Sequence, residues 1–431
     1  MTLRRLLPLV LIVALVSVAG ALPLRAPAAA QEQITLVVWD NWTRDAEQEM
    51  IEILNDEFES AHPGVTIKRA TYATDDLTNI LPLELSSDSG PDVTMINQGY
   101  SGMGALVQAG LLLPLNEYAD KYGWWDRYAM GLHSRNSFSA DGTQFGVGNL
   151  YGVSNTAEVV GVYYHRDIFE QHGLTVPKTL AEMETLMDKL LEAGITPIVF
   201  GSLDGWPAIH EFSVLQGVYI TLEELDAFMY KLEGGTFDTE ANLKATQKLV
   251  EWVDKGYFSP GFAGMDYDGA TFGAFLNQEG AMWITGNWMT GSIVEELGEE
   301  AVGFFAFPSE QEGVPAIVPG GVGLAYGIRA GTQYPDLAAE YIDLVTGPRA
   351  AELLFERGFF PAMGVDESLL TPGTLTADMF DVWKAVNAAN AVGHWLDWTA
   401  PNIAANIQEL MGKQVTPEQF VADVEAEYRG G

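Results

Sequence analysis

Five tryptophans lie in predicted breaks of the chain rather than within its predicted helices and strands. They are Trp42, Trp206, Trp288, Trp395 and Trp398. Glycine, proline, aspartate or asparagine lies close to each of them, and most of the breaks follow a predicted strand. An indole face stacks on the apolar C–H face of a pyranose ring, while Asp, Glu and Asn side chains hydrogen-bond to its hydroxyls. This composition is typical of a sugar site.

Four further tryptophans fall on predicted strand or helix positions, and we expect them in the core: Trp39, Trp252, Trp283 and Trp383. The first of them stands in the same short stretch, VVWDNW, as one of the tryptophans in breaks. We therefore expect Trp39 to pack the first strand and Trp42 to face a binding cleft.

Sequence motifs of the common hydrolases are absent. No P-loop, zinc-protease or nucleophile-elbow motif occurs, and the six histidines are scattered without metal-ligand spacing. There is no cysteine to serve as a nucleophile or to form a disulfide. Because acidic residues number 59, adjacent pairs such as Asp75-Asp76 and Glu223-Glu224 are expected to be solvated helix faces. We expect no metal, no cofactor and no catalytic residue.

Residues 1–30 have the features of a secretory signal peptide. Arg4 and Arg5 precede an apolar stretch over residues 6–21, and small residues end the segment at Ala30, the predicted cleavage point. A membrane anchor is disfavoured because the stretch is short and contains Pro8. We expect a monomeric periplasmic or extracellular protein with no lipid-carrying cysteine. Its formal net charge of −37 disfavours nucleic acid as a partner.

The rest of the chain alternates between short apolar runs and helical patterns. It opens with a strand at 34–39, a helix that begins with Asp45 and Gln48 as a capping box, and a strand at 65–68. A long helical pattern covers 222–255, and Thr179 opens another capping box. Further strands are predicted at 92–96, 159–164, 198–200, 302–307 and 321–328. The alternation favours an α/β class with mainly parallel sheets, and the length favours two domains.

A series of segments occurs in the order found in one known family: ITLVVWDNW with FESAHPGVTIK, GPDVTMINQG, LVQAGLLLPLNEYAD, VYYHRDIFEQHGLTVPKTLAEM, FLNQEGAMWITGNW, VGFFAFP, VPGGVGLAYGI and AAEYIDLVTGPRAAELLFERGFFPA. The chain thereby resembles the extracellular solute-binding proteins of sugar ABC importers, of the maltose-binding-protein type. The resemblance covers essentially all of the sequence after the predicted signal. One departure is His165-Arg166, where Asn-Lys is usual.

The resemblance implies a two-lobe periplasmic-binding-protein fold of type II, with a hinge between the lobes and a ligand in the cleft. The implied lobes are residues 33–154 with 322–375, and residues 155–321 with 376–431. Glycines 320, 321 and 323 would allow one segment that crosses between the lobes to bend.

The resemblance also implies ligand-binding residues. Trp288 matches the aromatic of the family's G-x-W motif, and Glu158 lies six residues before Tyr164, at the spacing of the family's ligand carboxylate. Residues in four loops complete the predicted set, namely Trp42, Thr43 and Arg44 in the first loop, Gln98 and Tyr100 after the GPD strand, Asp204 and Trp206 in a third loop, and Asp397 and Trp398 near a C-terminal helix.

The function that this reading implies is binding of an oligosaccharide outside the cytoplasm and its delivery to the permease subunits of an ABC importer, without catalysis. Two alternatives stay open at this point. A secreted glycoside hydrolase would share the loop tryptophans and acids. The same fold could instead bind a polyamine-like cation, which acids and aromatics would also suit.

Overall fold

The computed structural model describes residues 33–127, 132–364 and 366–430, so the predicted signal peptide lies outside the described residues. Its strands, numbered in chain order, are β1 (Ile34–Asp40), β2 (Val65–Thr71), β3 (Val93–Ile96), β4 (Ser137–Phe138), β5 (Asn149–Leu150), β6 (Val153–Ser154), β7 (Ala157–His165), β8 (Thr196–Ile198), β9 (Gly280–Gly286), β10 (Val302–Phe305), β11 (Gly320–Val322) and β12 (Ala325–Ile328).

The helices follow the same numbering. They are α1 (Asp45–Ala61), α2 (Thr74–Leu85), α3 (Ala105–Gln108), α4 (Asn116–Tyr122), α5 (Arg166–Gln171), α6 (Leu180–Glu192), α7 (Pro207–Tyr219), α8 (Leu222–Met229), α9 (Glu240–Lys255), α10 (Phe272–Leu276), α11 (Thr290–Leu297), α12 (Pro335–Val345), α13 (Pro348–Glu356), α14 (Leu375–Ala388), α15 (Ile403–Met411) and α16 (Pro417–Gly430).

Two sheets organise the molecule. The first has the order β2-β1-β3-β12-β6, and the second has the order β10-β7-β9-β8 with β11 paired to β7. Only β1 with β2, β1 with β3, and β8 with β9 run parallel among these strands. The prediction of mainly parallel sheets is therefore wrong. Strands that enter a sheet from the other half of the chain, such as β12 beside β3, run antiparallel.

Local signals predicted several helices well. Met50, Ile51, Leu54 and Phe58 form the buried face of α1. The Thr179 hydroxyl accepts the Glu182 N–H at 3.2 Å, which confirms that cap.

Two other helix predictions need correction. Helix α1 is capped at Arg44 rather than Asp45, because Glu47 and not Gln48 reaches back to the Arg44 N–H, at 3.0 Å. The predicted helix over 222–255 is two helices, α8 and α9, and a new cap at Thr239 opens the second.

The expected core tryptophans divide into two groups. Trp252 and Trp283 are fully buried. Trp39 and Trp383 are half-buried, and the Trp39 ring lies 4.9 Å from that of Tyr72.

The carboxyl end of β1 is held by a buried ion pair, in which Arg69 Nε donates to Asp40 Oδ2 at 2.6 Å. The same guanidinium donates to the Trp42 carbonyl at 2.8 Å, so this pair positions the first loop.

Helix α7 carries a carboxyl group in an apolar environment. Glu211 is fully buried, and neither of its carboxyl oxygens has a hydrogen-bond partner among the described residues. Burial raises the pKa of Glu211 well above its ordinary value. Burial therefore favours the protonated form of the Glu211 carboxyl group, and ionisation of this group opposes folding.

We predict that Glu211→Gln stabilises the protein increasingly as pH rises. Because the folded pKa is raised, the wild type has full stability below the ordinary glutamate pKa. Above that pKa, the free energy of unfolding of the wild type falls by up to about 1.4 kcal/mol per pH unit, whereas that of the variant does not. Urea unfolding at pH 5, 6, 7 and 8 measures the difference. The control is Glu192→Gln, at an exposed position in the last turn of α6. Parallel wild-type and Glu211→Gln curves would contradict the prediction.

Candidate functional site

A cavity of about 190 Å³ lies between the carboxyl ends of strands from both sheets. Trp42 and Gln98 follow the parallel strands β1 and β3 of the first sheet, and Trp206 and Trp288 follow the parallel strands β8 and β9 of the second. Loops at such strand ends are the usual ligand positions in α/β sheets. The lining consists of Asn41, Trp42, Arg44, Glu47, Thr74, Asp75, Met95, Asn97, Gln98, Thr156, Glu158, Trp206, Ile209, His210, Trp288, Val322, Gly323, Leu324, Trp395 and Asp397.

One wall of the cavity is aromatic. The rings of Trp206 and Trp395 lie 6.2 and 5.8 Å from that of Trp288. The Trp288 indole N–H donates to the Tyr267 hydroxyl at 2.8 Å, which leaves the faces of the ring for contacts within the cavity. All three tryptophans are half-buried. Such rings offer stacking surfaces of fixed orientation.

His210 stands at the centre of this aromatic wall. Its ring lies 5.3, 5.5 and 5.7 Å from the rings of Trp206, Trp288 and Trp395. The side chain is buried, and its Nδ1 atom has no hydrogen-bond partner in the described part of the chain. Burial lowers the pKa of His210 to about 3, so the imidazole stays neutral. A neutral imidazole can donate one hydrogen bond and accept another.

Trp42 closes the opposite side of the cavity. It is buried, its indole N–H donates to the Tyr326 hydroxyl at 2.7 Å, and its ring meets that of Phe359 edge-on at 5.6 Å. The indole N–H is thus already used within the protein. Trp42 contributes an apolar surface to the cavity rather than a donor.

Two half-buried carboxyl groups reach the cavity without a cationic partner. Glu158 lies at the start of β7, and burial raises its pKa to about 7, opposed only by a 3.5 Å contact with the Thr156 hydroxyl. Burial also raises the pKa of Asp397 to about 6, although the Asn97 amide donates to it at 3.1 Å. Both groups can accept hydrogen bonds from hydroxyls once ionised.

The one cation of the lining is paired on two sides. Arg44 contacts Glu47 at 3.0 Å and Asp268 at 2.7 Å. Glu47 belongs to α1, beside the first sheet, whereas Asp268 lies between α9 and α10, beside the second. The Arg44 guanidinium therefore bridges segments that belong to different halves of the molecule.

Seven of the predicted site residues line the cavity: Trp42, Arg44, Gln98, Glu158, Trp206, Trp288 and Asp397. The Gln98 amide is already engaged, because its Nε2 donates to Asn136 at 3.0 Å and to the Gly323 carbonyl at 2.7 Å. This residue therefore holds the cavity wall in place as well as lining it.

The structure does not bring the other four predicted residues to the cavity lining. Thr43 is exposed beside it, and the Asp204 carboxylate accepts the Tyr267 N–H at 2.6 Å. The Tyr100 ring packs against Phe138 at 5.8 Å. Trp398 is fully buried and donates its indole N–H to Asn97 at 3.2 Å. For Asp204, Tyr100 and Trp398, contacts with distant segments take the side chain away from the cavity.

Sequence reasoning missed His210 and did not select Trp395, although Trp395 was one of the five tryptophans in breaks. A signal for His210 existed, because it lies four residues after Trp206, at the spacing that places two side chains on one face of a helix. Asp75 was expected to be a solvated helix face. It is exposed, yet it also borders the cavity.

A larger groove of about 670 Å³ lies elsewhere, between α1, α11 and α13. Its lining is mostly acidic and aliphatic and includes no tryptophan. None of the predicted site residues borders it.

Residues 41–352 match the family model described as bacterial extracellular solute-binding protein. The chain belongs to this family. An uncharacterized ABC transporter extracellular-binding protein of Pyrococcus horikoshii is 29% identical over 61% of this chain, and the aligned part spans 59% of that relative's own length. The multiple sugar-binding protein of Streptococcus mutans is 24% identical over 77% of this chain and 76% of its own.

The fold of this family member also matches solved structures. One, from work on xylan utilization by the thermophilic bacterium Caldanaerobius polysaccharolyticus, superposes with a TM-score of 0.78. It is 22% identical, and the match covers 91% of this chain and 100% of that one. The two-lobe α/β class of the family therefore describes this protein.

The residues that the structure describes lack both metal-binding clusters and membrane-spanning helices. Within them, no group of three or more His, Asp or Glu side chains could hold a metal ion. Over the same ranges, no helix has the length and apolar character needed to cross a membrane.

We predict that the Glu158 carboxyl group titrates near pH 7 in the protein without ligand. Carbon-13 NMR of labelled glutamate, assigned with Glu158→Gln, measures the midpoint. Thr156→Val should raise the midpoint further, because it removes the hydroxyl that stabilises the ionised form. A midpoint at the ordinary glutamate value would show that the cavity solvates this group fully.

Proposed function

We propose that this family member binds an oligosaccharide in the cavity between its two sheets and delivers it to the permease of an ABC importer. The observation that carries the proposal is the pairing of a wall of three tryptophans with carboxyl and amide groups in one enclosed space. A pyranose ring stacks on tryptophan side chains, and its hydroxyls hydrogen-bond to carboxyl and amide groups. The name of the Streptococcus mutans relative supports a sugar as ligand.

The proposal includes the predicted lobes, 33–154 with 322–375 and 155–321 with 376–431, and closure of these lobes around the ligand. Short crossings support it, because two residues separate β6 from β7 and two separate β11 from β12. The contact of Arg44 with Asp268 would then join the lobes at the cavity. We also propose secretion through the predicted signal peptide and action as a monomer.

Catalysis is not part of the proposal. The family consists of binding proteins, and the lining is accounted for by binding roles. Incubation with chromogenic glycosides tests this point. Turnover that disappears in Glu158→Gln or Asp397→Asn would favour a glycoside hydrolase instead.

A thermal-shift panel of mono-, di- and trisaccharides tests the function itself. A ligand at a hundred times its Kd stabilises the folded state by about 2.7 kcal/mol, which raises the melting temperature by a few degrees. A flat response to every sugar, neutral or charged, would refute sugar binding.

We predict that Trp288→Ala weakens binding of the best sugar of the panel by at least about thirtyfold, since loss of a stacking aromatic costs about 2 kcal/mol or more. Titration calorimetry measures the affinity, and the melting temperature without sugar should change little. The matched control is Trp383→Ala. That residue is also half-buried but packs on Phe360 at 5.4 Å, away from the cavity. If Trp288→Ala melts much earlier yet binds sugar normally, Trp288 is a packing residue.

We predict that Asp268→Ala favours the open state. The variant removes the contact across the cleft but keeps the 3.0 Å pair of Arg44 with Glu47. Because Asp268 is largely exposed, sugar affinity should fall only about two- to fivefold. Solution scattering should show a larger radius of gyration for the variant without sugar, and a decrease in both proteins at saturating sugar.

Glu312→Ala is the control for this experiment, since its 3.1 Å pair with Lys178 joins two residues of one proposed lobe. Wild-type scattering profiles that are identical with and without saturating sugar would contradict closure.

A further inference from the structure

The ionisable lining of the cavity is unbalanced in charge. Four carboxyl groups border it, and the only basic side chain among its lining residues is Arg44. That guanidinium is already neutralised by Glu47 at 3.0 Å and by Asp268 at 2.7 Å. The cavity therefore holds an excess of negative charge that the described residues do not compensate.

Glu158 and Asp397 carry most of this excess. Both are half-buried, and neither forms an ion pair with any described residue. The side-chain contacts of these groups are the Thr156 hydroxyl at 3.5 Å and the Asn97 amide at 3.1 Å, and the Trp398 backbone N–H also hydrogen-bonds to Asp397, so every contact comes from a neutral group. Burying a carboxylate is costly unless a cation accompanies it. Asp75 at the edge adds a further charge of the same sign, which raises the pKa of Asp397 along with burial.

The aromatic wall suits the same kind of ligand. The faces of Trp206, Trp288 and Trp395 attract cations as well as stacked rings. His210 between them is neutral, so it does not repel a cation. Its buried Nδ1 has no partner among the described residues, which indicates a polar group of a ligand at this point. Acids, tryptophans and histidine thus meet at one cavity.

We infer that the sugar bound in this cavity carries a protonated amine, which pairs with one of the two unpaired carboxylates, Glu158 or Asp397, while the ring stacks on the tryptophan wall. The inference rests on the proposed function and specifies its ligand as an amino sugar. A metal ion would not replace the amine, because no described group of side chains could hold one. A free polyamine shares the ammonium chemistry and could contact the tryptophan faces as a cation, but it has no ring to stack on them.

Matched pairs of sugars test the inference by calorimetry at about pH 7, near the pKa of Glu158 and above that of Asp397, where the amine of an amino sugar is still largely protonated. The pairs are galactose with galactosamine, glucose with glucosamine, and cellobiose with the β-1,4-linked glucosamine disaccharide. The N-acetylated forms serve as controls of similar size without charge. We expect at least one amine to bind about tenfold or more tightly than both its hydroxyl and its N-acetyl partner, with an affinity that falls as sodium chloride is raised.

Substitutions of the acidic side chains show which of them is responsible for the preference for an amine. Asp397→Asn and Glu158→Gln keep the shape of each side chain and remove its charge. At least one of the two should reduce affinity for the preferred amino sugar about tenfold more than it reduces affinity for the neutral partner, whose hydroxyls also hydrogen-bond to these side chains. Asp75→Asn, at an exposed position, provides a third variant with little risk to folding, and its effect should be smaller. Glu192→Gln, an exposed substitution outside the cavity lining, should leave both affinities unchanged.

The outcomes separate this inference from the proposed function. Neutral sugars that bind as tightly as the amines, or more tightly, would overturn the inference and leave oligosaccharide binding intact. Binding of spermidine without binding of any sugar would overturn both. Failure of every amine to bind at 10 mM, roughly the weak limit of calorimetry, would also overturn the inference.

Discussion

The site depends on one constraint: two short segments of the chain cross side by side between the two sheets. β6 leads into β7 through Asn155 and Thr156, and β11 leads into β12 through Gly323 and Leu324. Because β7 pairs with β11 and β6 pairs with β12, the two crossings run side by side. A Cβ atom on Gly323 would lie 2.3 Å from the Glu158 carboxylate, so a side chain at this position would displace that carboxylate. Any change in the angle between the sheets must therefore alter the cavity.

Two of the four tryptophans that line the cavity are held by their polar edges. Trp42 donates its indole N–H to Tyr326, and Trp288 donates to Tyr267, so both rings are oriented by the protein before a ligand arrives. What remains for the ligand is the ring faces and the acceptor oxygens of unpaired carboxyl groups. Stacking surfaces of fixed orientation lower the entropic cost of binding, because fewer side chains must be ordered when the ligand enters.

Much of the fold could be predicted because its signals are local. The buried face of α1 follows from the spacing of Met50, Ile51, Leu54 and Phe58, and helix α6 follows from its Thr179 cap. Strand direction could not be predicted in this way. Whether β12 runs with or against β3 depends on where a segment more than two hundred residues later enters the sheet, and no local pattern records that. The same holds for the division of the long helical pattern into α8 and α9.

For the candidate site, the sequence by itself indicated loops that line the cavity, because tryptophans beside turn residues at strand ends are a local pattern. Trp42, Trp206 and Trp288 come from those loops and line the cavity. Only the tertiary structure decided which neighbours join them. Trp398 turns inward to the Asn97 amide, whereas His210 from the next helix turn faces the cavity. The reason is physical: the direction of a loop side chain is set by packing against segments distant in the chain, and so is the burial that shifts its pKa.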